Sequence, residues 1–214
     1  MNKNDQFVIT INRELGSGGR TVGEKLAQKL QVPFYDKALV KGLEEKFNLT
    51  VEEIERLKGI KHNWWSDFQR FVMPLGGINN WPHYYKVSED GEPELVTTRE
   101  MYAAETEMLK GMAEEGSCVI AGRTAFHVFA HHHNHLSVLI QASMEHRIRR
   151  VMEKQGVSAE EAKKTIRKVD KMRENYVMKY TSKSRYDTRN YHLVICADGK
   201  TEDEMAELIM QYIG

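Results

Sequence analysis

The sequence predicts one doubly wound α/β domain, a parallel sheet covered by helices on both faces and carrying one inserted segment. Three observations lead there. Residues 8–23, VITINRELGSGGRTVG, read as a strand, a glycine loop and the start of a helix. Further continuous apolar runs, SCVIAGR at 117–123, LSVLIQ at 136–141 and HLVICA at 192–197, alternate with helical patterns. The chain of 214 residues shows no internal repeat or low-complexity linker and is long enough for one substantial core.

The first strand rests on Val8, Ile9, Thr10 and Ile11, a β-branched run. Three glycines, Gly16, Gly18 and Gly19, break it, and Val22, Leu26 and Leu30 set a helix over about 21–31. Residues 32–36 form a short strand entered through Pro33 and ending at Asp36. Helices are expected over 37–47 and 51–59, the second opened by a capping box of Thr50 and Glu53. Residues 60–96 carry Trp64, Trp65 and Trp81, three of the four prolines and little periodicity. They read as an irregular insertion over one face of the sheet, whose aromatics form a small core or stack on a base. A helix over 97–115 starts with Thr97 and Glu100, and the strands at 117–123 and 136–141 follow. Helices are expected over 143–154 and 158–180, the longer one spacing Ala162, Ile166, Val169, Met172, Tyr176 and Tyr180 along one side. The strand at 192–197 and an amphipathic helix over 201–213 close the domain.

Composition removes several functional classes. The formal net charge is zero and the pI about 7.1, so no global basic field draws the chain to nucleic acid. Cys118 and Cys196 both lie in apolar runs, make no metal or redox spacing, and read as small core residues of a reduced, cytoplasmic protein. The amino terminus lacks the apolar segment of a signal peptide, and no stretch approaches the ~18 apolar residues of a membrane span.

The glycine loop carries the first chemical signal. A strand, a glycine loop and a helix let backbone N–H groups converge on a phosphate at the helix N-terminus. The usual string is G-x-x-x-x-G-K-[ST], whose lysine reaches the terminal phosphates. Here Arg13 stands in the first glycine slot and Gly19 in the lysine slot, followed by Arg20 and Thr21. The loop is therefore a degenerate phosphate loop in which Arg13 or Arg20 supplies the charge and Ser17 or Thr21 a hydroxyl. Ligands of such sheets sit beyond the carboxyl ends of the strands, where Asp36, Gly122, Arg123 and Gln141 fall.

Residues 145–173 hold ten Arg/Lys against five Asp/Glu. Arg147 and Arg150 are three apart on one helix, and Arg167, Asp170 and Arg173 repeat that step on the next. Such spacing makes neighbours, so these groups either converge on phosphate oxygens or form solvated i,i+3 pairs. His127, His131, His132, His133 and His135 have no cysteine or carboxylate nearby and read as a solvated loop, so no metal-ligand set is assigned.

Four stretches together resemble the cytidylate kinase family, and its divergent cytidylate-kinase-like branch in particular. They are RELGSGGRT (13–21), PFYDK (33–37), CVIAGRTA (118–125) and LIQASMEHRIRR (139–150), with DKMR (170–173) and YHLVI (191–195) in the expected order. The resemblance implies a P-loop NTPase three-layer sandwich with a five-stranded parallel sheet. Its core would comprise about 1–59, 97–146 and 185–214, with an acceptor-binding insertion over about 60–96 and a mobile helical lid over about 147–184. It further implies transfer of a phosphoryl group from ATP, with Mg²⁺, to a nucleoside monophosphate, CMP or dCMP first. Gly16, Ser17, Gly18, Gly19, Arg20 and Thr21 would cradle the donor phosphates. Asp36 would face the acceptor, Arg123 would grip its phosphate, and Arg147, Arg150, Arg167, Asp170 and Arg173 would form the lid-hinge and lid set. The chain departs from the pattern at Gly19, Ala121 and Thr124, where a lysine and two carboxylates belong. The alternatives are a nucleotide-binding protein without catalysis, or a kinase for another small phosphorylated or hydroxylated metabolite.

Overall fold

A computed structural model of the chain describes residues 1–36, 85–87, 93–95, 99–122 and 124–214. Its centre is a five-stranded sheet of β1 (Val8–Arg13), β2 (Phe34–Tyr35), β5 (Cys118–Ala121), β6 (His135–Gln141) and β7 (Leu193–Cys196). The spatial order is β2-β5-β1-β6-β7, and every pairing is parallel. Strands β3 (Tyr85–Val87) and β4 (Pro93–Leu95) form a separate antiparallel pair. The helices are α1 (Gly19–Leu30), α2 (Arg99–Glu115), the single turn α3 (Ala125–Val128), α4 (Met144–Gln155), α5 (Ala159–Thr181) and α6 (Glu202–Ile213). The helices expected over 37–47 and 51–59, the capping boxes at Thr50 and Thr97, and the tryptophans of the insertion lie outside the described residues. Among the described residues no helix is long and apolar enough to cross a membrane.

Alternation along the strands divides the core. Ile9, Ile11, Val119, Leu136, Val138 and Ile140 point to the face covered by α1 and α6, where they meet Val22, Leu26, Met205 and Ile209. Burying one such aliphatic side chain contributes about 1.5–3 kcal/mol. On the other face, Leu139 packs with Phe126, Met172, Tyr176, Val177 and Tyr191. Helices α4 and α5 are joined through only residues 156–158 and close on each other through Val151, Ala162, Ile166 and Val169, with Leu15 of the glycine loop among them. Gly156 in the left-handed region ends α4, and a Ser158–Glu161 capping box starts α5. The segment expected as a lid is thus a tight helical hairpin seated on the loop.

Cys118 is buried, as its apolar run suggested, but Cys196 is exposed, its thiol donating to Asp198 at 3.0 Å. The reason is sheet position: β7 is an edge strand, and one side of its last residue has no covering layer.

His132, His133 and His135 lie with His192 near the amino ends of β6 and β7, opposite the glycine loop. His135 Nε2 bonds the Thr10 hydroxyl at 2.8 Å, and His192 Nδ1 lies 2.8 Å from the Ser137 hydroxyl. Among the described residues no group of three or more His, Cys, Asp or Glu is placed to hold a metal. Burial, with His192 and His132 nearby, pushes His135 from 6.5 down to about 4. The unfolded chain therefore binds this proton first. The stability His135 contributes is complete above pH 6.5 and is lost as pH falls from 6.5 to about 4. In melting curves across that window, His135→Gln is expected to flatten the decline; an unchanged slope would contradict the assignment.

Candidate active site

The loop between β1 and α1 opens at the carboxyl end of the central strand, where the sheet presents its crevice. Gly16 and Gly18 both adopt positive φ, +86° and +80°. A Cβ on Gly16 would come within 2.8 Å of the Arg147 carbonyl, so α4 approaches the loop too closely for any side chain there. Gly18 is the N-cap of α1 and has no side chain to cap it. The first-turn N–H groups of that helix consequently face the loop with no capping oxygen, the arrangement that attracts an anion. Ser17 is fully buried, and its hydroxyl donates to the Glu14 carbonyl at 3.0 Å, so it shapes the loop from within.

Arg13 explains the absent lysine. A Cβ on Gly19 would lie 2.5 Å from Arg13 Cβ and 3.2 Å from its Cγ, and a Cβ on Gly122 would overlap the guanidinium. The Arg13 side chain therefore runs between these two glycines, through the space beside the lysine position. Its Nη2 meets Asp36 Oδ1 at 2.8 Å, while Arg20 pairs with the other oxygen of Asp36 and with Glu24 at 2.9 Å. Burial, only partly offset by Asp36, lowers the Arg13 pKa. Restoring the usual loop by Gly19→Lys alone is expected to lower the melting temperature, because the new Cβ collides with Arg13. Adding Arg13→Gly should recover most of that loss, and a double variant no better than Gly19→Lys would refute the steric argument.

Asp170 is the second organising group, and its side chain is 7% exposed. One oxygen takes the Leu15 N–H at 3.1 Å and lies 3.4 Å from Arg185 and 3.7 Å from Arg173. The other accepts from Arg147 at 2.9 Å. Arg147 also meets Glu14 at 2.7 Å, and Glu14 accepts the Ala142 N–H at 3.0 Å. One carboxylate thus ties both helices of the hairpin to the loop. Arg150 pairs with Glu202, whose side chain lies beside Gly18.

Around the loop, Arg13, Arg20, Arg147, Arg150, Arg173 and Arg185 face Glu14, Glu24, Asp36, Asp170 and Glu202, six guanidiniums against five carboxylates among the described residues. The excess is cationic. Burial, with Arg13 and Arg185 alongside, pushes Arg173 down to about 9, so it remains charged at neutral pH. Three crowded guanidiniums are relieved by an incoming anion, and the arginine fork suits phosphate oxygens. Glu14, Asp36, Asp170 and Glu202 are all charge-paired with arginine, and Arg20 stands where a metal-binding hydroxyl usually follows the lysine. A dication would have to displace a guanidinium or a backbone donor to reach Glu14, Asp36 or Asp170, whereas Glu202 has one oxygen engaged, by Arg150. Direct coordination of Mg²⁺ by Glu14, Asp36 or Asp170 does not fit, because donors already hold both oxygens of each.

The expected residues therefore divide. Arg13, Arg20 and Asp36 converge, as do Arg147, Asp170 and Arg173. Arg167 does not join them: it is exposed on α5 and makes no ion pair among the described residues. Arg150 sits one step out, on Glu202. Thr21 lies in the first turn of α1, and Arg123 is outside the described residues. Sequence reasoning missed Arg185. It stands in the 182–187 turn, where neither periodicity nor a motif marks it; a basic residue directly after an arginine-bearing helix was the sole cue.

The sheet order and a glycine loop at the head of α1 define the class, the P-loop kinase fold. Comparisons agree. The chain belongs to the cytidylate kinase-like family, whose profile matches residues 8–198. A crystal structure of an uncharacterized protein from Eubacterium ventriosum is similar at 24% identity with a TM-score of 0.68, covering 97% of this chain and 98% of that one. TT1252 from Thermus thermophilus is similar at 20% identity and a TM-score of 0.51, covering 97% of each chain. A shikimate kinase from Acinetobacter baumannii, solved in complex with shikimate, is similar at 17% identity and a TM-score of 0.50, covering 97% of this chain and 93% of that one. No curated protein matches the sequence significantly. Family membership supports phosphoryl transfer as the class of chemistry.

Proposed function

We propose that the protein transfers the γ-phosphoryl group of Mg-ATP to a nucleoside monophosphate, with CMP or dCMP the first candidate acceptor. The observation that carries this reading is an N-terminus of α1 that no side chain caps, reached through a loop at whose opening Arg173 and Arg185 both donate to the carbonyl of Arg13. An acceptor phosphate oxygen would attack the γ-phosphorus in line, and the protein's task would be positioning and charge stabilisation. Backbone N–H groups of the loop would hold the donor phosphates. Arg13 would leave Asp36 to reach an oxygen in the lysine's stead, and Arg173 would meet the transferred group from the hairpin. Asp170 would keep the hairpin and the loop in register.

The choice of CMP comes from family membership; the insertion that would read the base lies largely outside the described residues. The test is ADP formation from Mg-ATP with CMP, dCMP, UMP, AMP, GMP and small hydroxyl compounds in turn. An acceptor-dependent signal that disappears in Arg173→Ala supports the kinase, and the best acceptor names the substrate. Silence across the set, with nucleotide binding by calorimetry, would overturn it in favour of a binder without catalysis.

A further inference from the structure

We propose that Arg185 is a positioning residue of the phosphate site, which aims Arg13 by fixing the peptide that opens the glycine loop. The inference rests on the phosphoryl-transfer reading and deepens it.

Arg185 is 3% exposed and is held from every side. Its backbone N–H donates to Glu174 Oε2 at 3.0 Å. Its carbonyl accepts from the Tyr191 hydroxyl at 2.7 Å, and that hydroxyl accepts from Asn12 Nδ2 at 2.8 Å. Asn12 directly precedes Arg13 on β1, so the turn is registered against the strand it serves. The guanidinium lies 5.1 Å from the ring centre of Tyr186, which forms its outer wall.

What the side chain does with this bracing is specific. Nη2 donates to the carbonyl of Arg13, and Nη1 points to Asp170. Arg173 donates to the same carbonyl at 3.3 Å. The other end of that peptide, the Glu14 N–H, is held by the Ile140 carbonyl at 3.0 Å. With both polar groups of the peptide occupied, the direction in which Arg13 leaves the backbone is set, and its side chain follows the channel between Gly19 and Gly122 to Asp36. The two guanidinium nitrogens reach the carbonyl and the carboxylate separately from one rigid plane, whereas a lysine offers a single nitrogen on a flexible stem.

A purely structural role is a poor account of this group. Burying a further cation beside Arg13 and Arg173 is unfavourable, and well-packed apolar side chains often replace buried ion networks at no cost in stability. The arrangement has a return when an anion arrives and finds Arg13 already aimed.

The test is a double-mutant cycle in the full chain: wild type, Arg13→Ala, Arg185→Lys and the double variant. Affinities for inorganic tripolyphosphate and for Mg-ATP are measured by calorimetry, with melting temperature and turnover alongside. Arg185→Lys is expected to melt close to wild type and to weaken both affinities about tenfold, but to change them less than about twofold once Arg13 is alanine, because residues acting as one unit are non-additive. An equal factor in both backgrounds would overturn the proposal, as would wild-type affinity in Arg185→Lys or a lowered melting temperature with binding intact. Should the lysine variant not fold, Arg185→Gln, which keeps a donor to the carbonyl, enters the same cycle. If the wild type binds both probes yet turns over no acceptor, the kinase reading falls while the cycle still decides Arg185. A wild type that binds neither probe overturns both.

Discussion

Arg13→Ala is expected to lower kcat/KM by about a hundredfold or more, roughly 3 kcal/mol of transition-state stabilisation. The Arg13 side chain passes Gly19, which stands at the position of the missing lysine, and carries its guanidinium on to Gly122. Shortening it leaves the loop with backbone dipoles but without the charge that should follow the phosphoryl group. Stability should move differently. The variant loses an ion pair to Asp36 and also loses a desolvated cation crowded by Arg185 and Arg20. These contributions oppose each other, so the melting temperature should hold or rise while activity collapses, as happens where a site is built at the expense of stability. Steady-state kinetics with the best acceptor, paired with thermal melts, check both halves. Wild-type kinetics in Arg13→Ala would remove it from the mechanism.

The largest loss of stability is expected from Asp170→Ala. One buried carboxylate accepts from Leu15 and faces Arg147, Arg173 and Arg185, and its removal leaves three cations and a backbone donor without their shared partner. Breaking a buried ion pair in this way costs about 3–5 kcal/mol, or roughly 6–20 °C in melting temperature for a chain of this size. The loss has a chemical signature. Inorganic phosphate should restore part of the lost stability, since an anion within the cluster replaces the missing charge and stabilises by mass action. Asp170→Asn, which retains an acceptor for Leu15, should fall between. A variant that melts like wild type would show that the hairpin is not held to the loop through this residue.

Much of the frame was legible because it depends on residues close together in sequence. Continuous apolar runs mark strands buried on both faces: β5 and β7 lie within the stretches those runs define, and β6 begins one residue before its own. Periodicity marks α4, α5 and α6 to within about one residue, since helical packing is a matter of positions three and four apart. The glycine loop was legible for the same reason, its turn chemistry residing in consecutive residues. Arg167 shows the limit. Three-residue spacing makes it a neighbour of Asp170, yet that helical face turns to solvent before reaching Arg167, and the spacing carries no information about which side of α5 the sheet will cover. Cys196 failed likewise: its run is apolar, but only strand order makes β7 an edge.

By itself, then, the sequence determined the α/β class, the succession of most described elements, the glycine loop and the pool of arginines from which a site could be drawn. The tertiary structure decided which of them meet. Arg185 reaches the carbonyl of Arg13 across 172 positions of chain, and Arg13 reaches Asp36 across 23. Both contacts follow from the parallel order of the strands and from a hairpin that brings its far end back over the loop. The physical reason is range. Backbone conformation is set largely by neighbours within a turn or two, whereas the charge balance of a site is set by groups that become neighbours only when the sheet closes.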